Sequence, residues 1–305
     1  MTPNAIRTAQ RLIAPHVLRT PVLEADMPGA GRIALKLENC QITGSFKARG
    51  AFTTLLSGPV PVAGVVAASG GNHGAAVAHA AVTLGHPAHI FVPELAGPSK
   101  IALIRATGAR LSVVPGTYTE ALAAARAEEA ATGAMQIHAY DAPLTVTGQG
   151  TLFAEWDDQR LKADTVLIAV GGGGLIAGAL AWWGESRRVV AVEPDLAPTL
   201  NVALRDGPDT DVEVGGIAAN ALGARRIGRI AHDLARDHSA QSILVSDAAI
   251  ASAQRLLWDR LRQWVEPAGA TALAALTSGA YVPARGERVA VLVCGANPAP
   301  GPFAD

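Results

Sequence analysis

The chain has 305 residues, half of them hydrophobic and 17% charged, enough to bury a sizeable core in one large or two ordinary domains and to argue against general disorder. A formal net charge of −1 with no long basic run removes the electrostatic case for nucleic acid or an anionic membrane as partner. Two cysteines, Cys40 and Cys294, are too few for a disulfide framework and fit a reducing cytoplasm, and the N-terminal MTPNAIRTAQ lacks the apolar core of an export signal.

Short β-branched runs alternate with Ala-rich helical stretches along the chain. The pattern predicts a strand over 62–67, a helix over 73–84, a strand over 88–92 and a helix over 99–107 capped by Ser99. Residues 111–114 and 135–139 read as strands flanking a helix over about 119–131. Residues 165–170, 175–183 and 188–192 form a further β-α-β unit, and 288–293 a late strand. Such alternation predicts an α/β fold with mainly parallel sheets, and runs such as VLIAV and VAVLV suit strands covered on both faces. No low-complexity linker or internal repeat separates these elements. The uncharged stretch 165–184 is long enough to span a bilayer and contains Gly174-x-x-x-Gly178. Gly171 to Gly174 interrupt it, each costing about 1 kcal/mol in a helix interior, so no membrane span is expected.

Residues 35–51 read LKLENCQITGSFKARGA. Small and apolar neighbours would desolvate the Lys47 amine, lower its pKa and make it nucleophilic; such a lysine can equally open a helix in solvent. From Glu38 to Ala51 the segment matches E-N-x-Q-x-T-G-S-F-K-x-R-G-A at every specified position. In this it resembles the cofactor-lysine motif of the serine/threonine dehydratase family, within the fold-type II pyridoxal-phosphate enzymes. The resemblance implies that Lys47 carries pyridoxal 5'-phosphate as a Schiff base, with Phe46 beside the cofactor ring and Thr43 among the substrate contacts. Sister enzymes that make cysteine or threonine carry Asn-Pro before the Gly-Ser and Asp-Arg after the lysine. Gln41 and Ala48-Arg49 stand here, which favours a dehydratase.

Ser69-Gly70-Gly71-Asn72-His73 lies between a predicted strand and a predicted helix, where backbone N–H groups make an anion site and glycines admit a ligand closely. Many α/β loops share that look. Beside Lys47 it resembles the family's asparagine loop, which implies Asn72 on the cofactor's phenolic oxygen. By the same resemblance Ser69, catalytic with Lys47, and the loop from Gly70 through Asn72 to His73 hold the substrate. His73 is expected to start the helix rather than to move protons. Serine racemases carry a Ser at the position of Gly70 to handle a second proton; Gly70 cannot, which implies elimination without efficient racemisation.

Gly172-x-Gly174-x-x-Ala177 follows a predicted strand, with Glu193 at the next strand end, and so fits the dinucleotide pattern. A glycine loop at a helix N-terminus holds any phosphate. GGGGLIAG resembles the family's phosphate cup, which implies Gly171, Gly172, Gly173, Gly174 and Leu175 on pyridoxal phosphate rather than NAD. Cys294 ends the late strand and by itself reads as a small core residue. The family carries Ser there, facing the pyridine nitrogen, which implies Cys294 as a weak neutral partner. Several family members also bind a divalent cation through a Glu, a backbone carbonyl and an Asp. Glu193 and Ala197 stand at the first two positions and Thr199, a poor ligand for a hard cation, at the third; a helix cap is the other reading of Glu193.

Over 20–297 the resemblance implies a tryptophan synthase β-like architecture of two α/β domains. Residues 1–52 and 143–305 would form a large cofactor-binding domain, with a small domain, 53–142, inserted in it and the active site in the cleft. The activity implied is conversion of L-threonine or L-serine to a 2-oxo acid and ammonia, by a cytoplasmic homodimer without a C-terminal regulatory domain. Racemisation, hydroxyaspartate dehydration or β-replacement with the same cofactor, and non-catalytic binding of pyridoxal phosphate, stay open.

Overall fold

The computed structural model describes residues 1–96 and 98–297, apart from the side chains of Leu95 and residues 98–100. The strands are β1 (Val22–Met27), β2 (Gly31–Leu37), β3 (Val65–Ala68), β4 (Ala88–Pro93), β5 (Arg110–Val114), β6 (Met135–Gln136), β7 (Thr165–Ala169), β8 (Arg188–Pro194), β9 (Gln241–Val245) and β10 (Val289–Val293). They form a six-stranded sheet in the order β1-β2-β10-β7-β8-β9 and a four-stranded sheet in the order β5-β4-β3-β6. Every neighbouring pair is parallel except the β1–β2 hairpin, which lies outside the expected elements. β7 and β10 are buried at every position, as strands covered on both faces must be; the helix Pro267–Thr277 packs against both. The glycine run breaks 165–184 into β7 and the ten-residue helix Gly174–Trp183, and among the described residues no helix is long and apolar enough to cross a membrane.

Two strand boundaries differ from expectation for local reasons. The strand expected over 62–67 starts only at Val65, because Gly64 turns the chain at φ 78 and Val62 is 99% exposed. The strand expected over 135–139 pairs only over Met135–Gln136, after which the backbone leaves the sheet. The proposed cap at Ser99 concerns a side chain outside the described residues; the helix there runs Pro98–Arg105.

The helix Lys47–Leu56 joins the two halves of the core. It packs on the helix Asn72–Thr83 beside the smaller sheet and on the helix Pro143–Asp158 beside the larger. The second contact depends on glycine: a Cβ at Gly148 would lie 2.6 Å from Gly50 Cα and 2.7 Å from Arg49 O, too close for any side chain. The same helix meets Gly174–Trp183 through Gly150 and Gly178, where a Cβ on Gly178 would lie 2.6 Å from Gly150 N.

A buried ionic cluster sets the rotation of the Lys47 helix. Arg49 forks onto Glu38 at 2.8 and 2.7 Å and reaches Glu155 at 3.0 Å. Lys36 Nζ donates to Glu155 at 2.5 Å, to Thr20 O at 2.9 Å and to Gln159 at 2.7 Å. Thr20 Oγ1 donates to Glu38 at 2.6 Å. Two cations and two carboxylates cancel, and all four side chains are buried. Burial alone would raise the Glu38 carboxyl, but the Arg49 guanidinium overrides it and holds it below its ordinary value of 4.5.

Removing one member therefore strands a buried charge. Arg49→Ala should cost about 3–5 kcal/mol, read as a lower urea midpoint; an unchanged midpoint would show that the cluster is slack. A depressed carboxylate contributes stability above its unfolded pKa and loses it as pH falls through the folded one. The urea midpoint of the wild type should thus fall on acidification below pH 4.5, and fall less steeply in Glu38→Gln.

Candidate active site

A cavity of about 550 Å³ opens at the carboxyl ends of β3, β6, β7 and β10. Parallel strands bring their following turns to one edge, and the helices that leave those turns aim their N–H groups into the same space. Ser69 and Asn72 follow β3, Tyr140 follows β6, Gly171 follows β7 and Cys294 follows β10, and all line this cavity. Lys47 and Phe46 enter from the neighbouring turn.

Lys47 opens its helix, behind a turn in which Thr43 adopts φ 65 and Gly44 φ 74. That turn is stitched to the end of β10 by a bridge between Ser45 and Gly295 and by Phe46 N–H donating to Cys294 O at 3.3 Å. Lys47 Nζ donates to Ala139 O at 2.7 Å and lies 5.2 Å from the centroid of the Phe46 ring. Burial lowers its pKa to about 8, against the pull of Glu266 in the other direction. The desolvated reading of this lysine holds, and the solvent-exposed one fails.

On the asparagine loop, Ser69 Oγ accepts from Gly71 N–H at 3.1 Å and Asn72 begins the helix Asn72–Thr83. His73 Nε2 bonds Ile137 O at 2.8 Å, so the ring donates from that nitrogen. Burial and then the charge of Lys47 push its pKa down to about 3. The imidazole is neutral and its Nε2 is committed to Ile137 O, which leaves Nδ1 as an acceptor and the backbone N–H as a donor. Two expected substrate contacts do not line the cavity. Thr43 lies behind it, its carbonyl accepting from Asn297 Nδ2 at 2.7 Å. At Gly70 a side chain would point at Ala96 and Val92 rather than into the cavity.

At the other end the wall is backbone alone. Gly173 takes φ 88 as the residue before the helix. A Cβ on Gly171 would lie 2.7 Å from Leu222 Cα, and one on Gly174 would lie 2.8 Å from Tyr140 O; the Tyr140 ring fills the space a side chain on Gly172 would need. Leu175 lies in the first turn that follows. The first N–H groups of a ten-residue helix have no acceptor four residues back, which gives this turn the shape and polarity to hold a phosphate.

Cys294 is buried, its Sγ 3.3 Å from Ala268 O as donor. Burial, then Glu266, pushes the thiol far up, so it is neutral. Glu193 stands elsewhere. It accepts from Leu200 N–H at 2.6 Å, Asn201 N–H at 2.8 Å and Ser242 Oγ at 2.6 Å, and Ala197 O accepts from Thr199 N–H at 3.0 Å. Burial lifts the Glu193 carboxyl to about 7. Both its oxygens are in use, and among the described residues no three His, Cys, Asp or Glu side chains group as metal ligands. Glu193 thus caps the helix Thr199–Asp206 through its first N–H groups, the other reading its sequence position offered.

Several wall residues lie outside the sequence reading. Tyr140 spans the cavity to donate to Arg226 O at 3.3 Å, its phenol pushed up to about 12 by burial. Glu266 lines the wall beside Asn72. A Glu-Pro pair opening an Ala-rich stretch signals that helix start; nothing local marks Tyr140.

The family model for pyridoxal-phosphate dependent enzymes matches residues 13–295. The chain is 34% identical to phenylserine dehydratase of Ralstonia pickettii, over 99% of this chain and 94% of that one. Among solved structures, a threonine deaminase from T.th. matches with a TM-score of 0.90 at 35% identity, over 99% of this chain and 100% of its own. Maize serine racemase matches with a TM-score of 0.89 at 32% identity, over 97% and 93%. The chain belongs to the pyridoxal-phosphate dependent enzymes. Its architecture is that of fold type II, as the Lys47 motif implied.

In cofactor-free protein the Lys47 amine should react with an acylating reagent with a midpoint near pH 8, since the neutral amine grows as pH rises through its pKa. A midpoint near the ordinary 10.5 would place it in solvent.

Proposed function

We propose that this enzyme is a lyase that removes ammonia from a β-hydroxy amino acid, with L-threonine or L-serine as substrate, and releases a 2-oxo acid. The observation that carries the reading is the position of the Lys47 amine. It is partly buried, has a pKa of about 8, and faces a cavity with a helix N-terminus at each end. Lys47 would hold the aldehyde carbon of pyridoxal phosphate, Gly171 to Gly174 with Leu175 the phosphate, and Asn72 the phenolic oxygen, with Phe46 and Cys294 beside the ring. Bound there, the cofactor supplies an electron sink for the substrate's α-carbon.

The chain's own groups do the rest. Ser69 and the first N–H groups of the helix Asn72–Thr83 bind the substrate carboxylate. The Lys47 amine, about half neutral at pH 8, takes the α-proton. The β C–O bond breaks, the hydroxyl leaves as water with the proton that Lys47 took up, and the released enamine hydrolyses to 2-oxo acid and ammonia. Elimination needs one base on one face. Racemisation needs a second proton carrier, and neither Gly70 nor the neutral, committed His73 provides one. In this reading residues 53–142, which hold all four strands of the smaller sheet, form a small domain inserted in the larger one.

The test is a panel of L-threonine, L-serine, phenylserine and 3-hydroxyaspartate, assayed for 2-oxo acid. Release from threonine or serine is expected, with Lys47→Ala at least about 10²-fold slower. D-Serine should form far more slowly than pyruvate, and borohydride should fix the cofactor on Lys47. No 2-oxo acid from either substrate, or D-serine at a comparable rate, would reject the assignment.

A further inference from the structure

We infer that Glu266 is a positioning residue that decides which way the amide of Asn72 faces, and thereby how firmly the cofactor is held. The inference rests on Asn72 contacting the cofactor.

Glu266 is only 2% exposed and lines the cavity. It occupies the residue before the helix Pro267–Thr277, where an acidic side chain ordinarily caps its own helix, yet it makes no such cap bond. The carboxylate turns instead to Asn72, whose Nδ2 donates to Oε1 at 2.5 Å. Space for it exists because Gly295 has no side chain; a Cβ there would collide with Oε1.

The hydrogen bonds around Asn72 have one consistent polarity. Asn297 Nδ2 donates to Thr43 O at 2.7 Å and to Asn72 Oδ1 at 2.8 Å. Thr43 O can only accept, which fixes Asn297. An ionised carboxylate can only accept, which fixes the nitrogen side of Asn72 toward Glu266. Flipping Asn72 would set its oxygen against the carboxylate and its NH₂ against that of Asn297, two mismatches at once. Held as it is, Asn72 keeps a second N–H, a donor suited to an anionic phenolic oxygen. Glu266 also opposes the effect of burial on Lys47, so one carboxylate faces both groups.

The experiment titrates pyridoxal phosphate into cofactor-free wild type, Asn72→Ala, Glu266→Gln and the double variant, following bound-cofactor absorbance, with melting temperatures measured in parallel. Each single change should weaken binding about tenfold, the usual gap between charged and neutral hydrogen bonds. The double variant should bind no more weakly than Asn72→Ala, because Glu266 acts through that amide. Wild-type affinity in Glu266→Gln, or losses that add in the double variant, overturn the inference. If Asn72→Ala binds like wild type, the cofactor contact of Asn72 is itself wrong and the inference falls with it. Should Glu266→Gln fail to fold, Asn297→Asp serves, since it sets an acceptor against Asn72 Oδ1 and should bring the same tenfold loss; unchanged affinity there again overturns it.

Discussion

Arg49 and Glu38 hold the active site in place without touching it. Arg49 lies two residues beyond Lys47 on one helix, and its guanidinium plane accepts few geometries on a buried carboxylate. The fork therefore fixes both the rotation and the height of that helix over β2. Glu155 extends the constraint to the helix Pro143–Asp158, and Lys36 closes the charge balance from the strand side. A buried ion pair is seldom more stabilising than apolar residues of the same volume. Here it defines a geometry: an apolar patch would tolerate a slide of the helix, whereas the cluster does not.

What that geometry delivers is an amine in the right electrostatic surroundings. Burial pulls the Lys47 pKa down, and Glu266 opposes it, leaving it about 8. The neighbours are tuned away from neutrality. His73 is pushed to about 3 and Tyr140 to about 12, so neither exchanges protons near neutrality. Separating the pKa values of adjacent groups in this manner is how a site assigns its base.

The motif from Glu38 to Ala51 was legible as a unit, but its residues divide into two kinds of work. Lys47 and Phe46 face the cavity, whereas Glu38 and Arg49 build the ionic support and Thr43 stands behind the wall. A linear pattern records that all are needed and not which surface each one faces. The glycine run was equally plain, since four adjacent glycines have few other uses, yet the reason for each lies in Tyr140, Leu222 and Ala231, distant in the chain. Glu193 shows the converse. It sits at a strand end where a ribose or metal ligand would sit, and the helix that begins at Thr199 consumes its oxygens.

By itself the sequence determined the alternation of strands and helices, the parallel buried strands, the Lys47 motif and the two turns at helix starts, because each is written in contiguous residues. The β1–β2 hairpin, the pairing of Glu266 with Asn72, the position of Tyr140 across the glycine turn, and the orientation of Gly70 away from the cavity were decided only by tertiary structure. These depend on which residues meet across long separations, such as Asn72 with Glu266 and Asn297. A hydrogen-bonding side chain carries no local sign of its partner. Its polarity becomes fixed only when folding brings an obligate acceptor to each end.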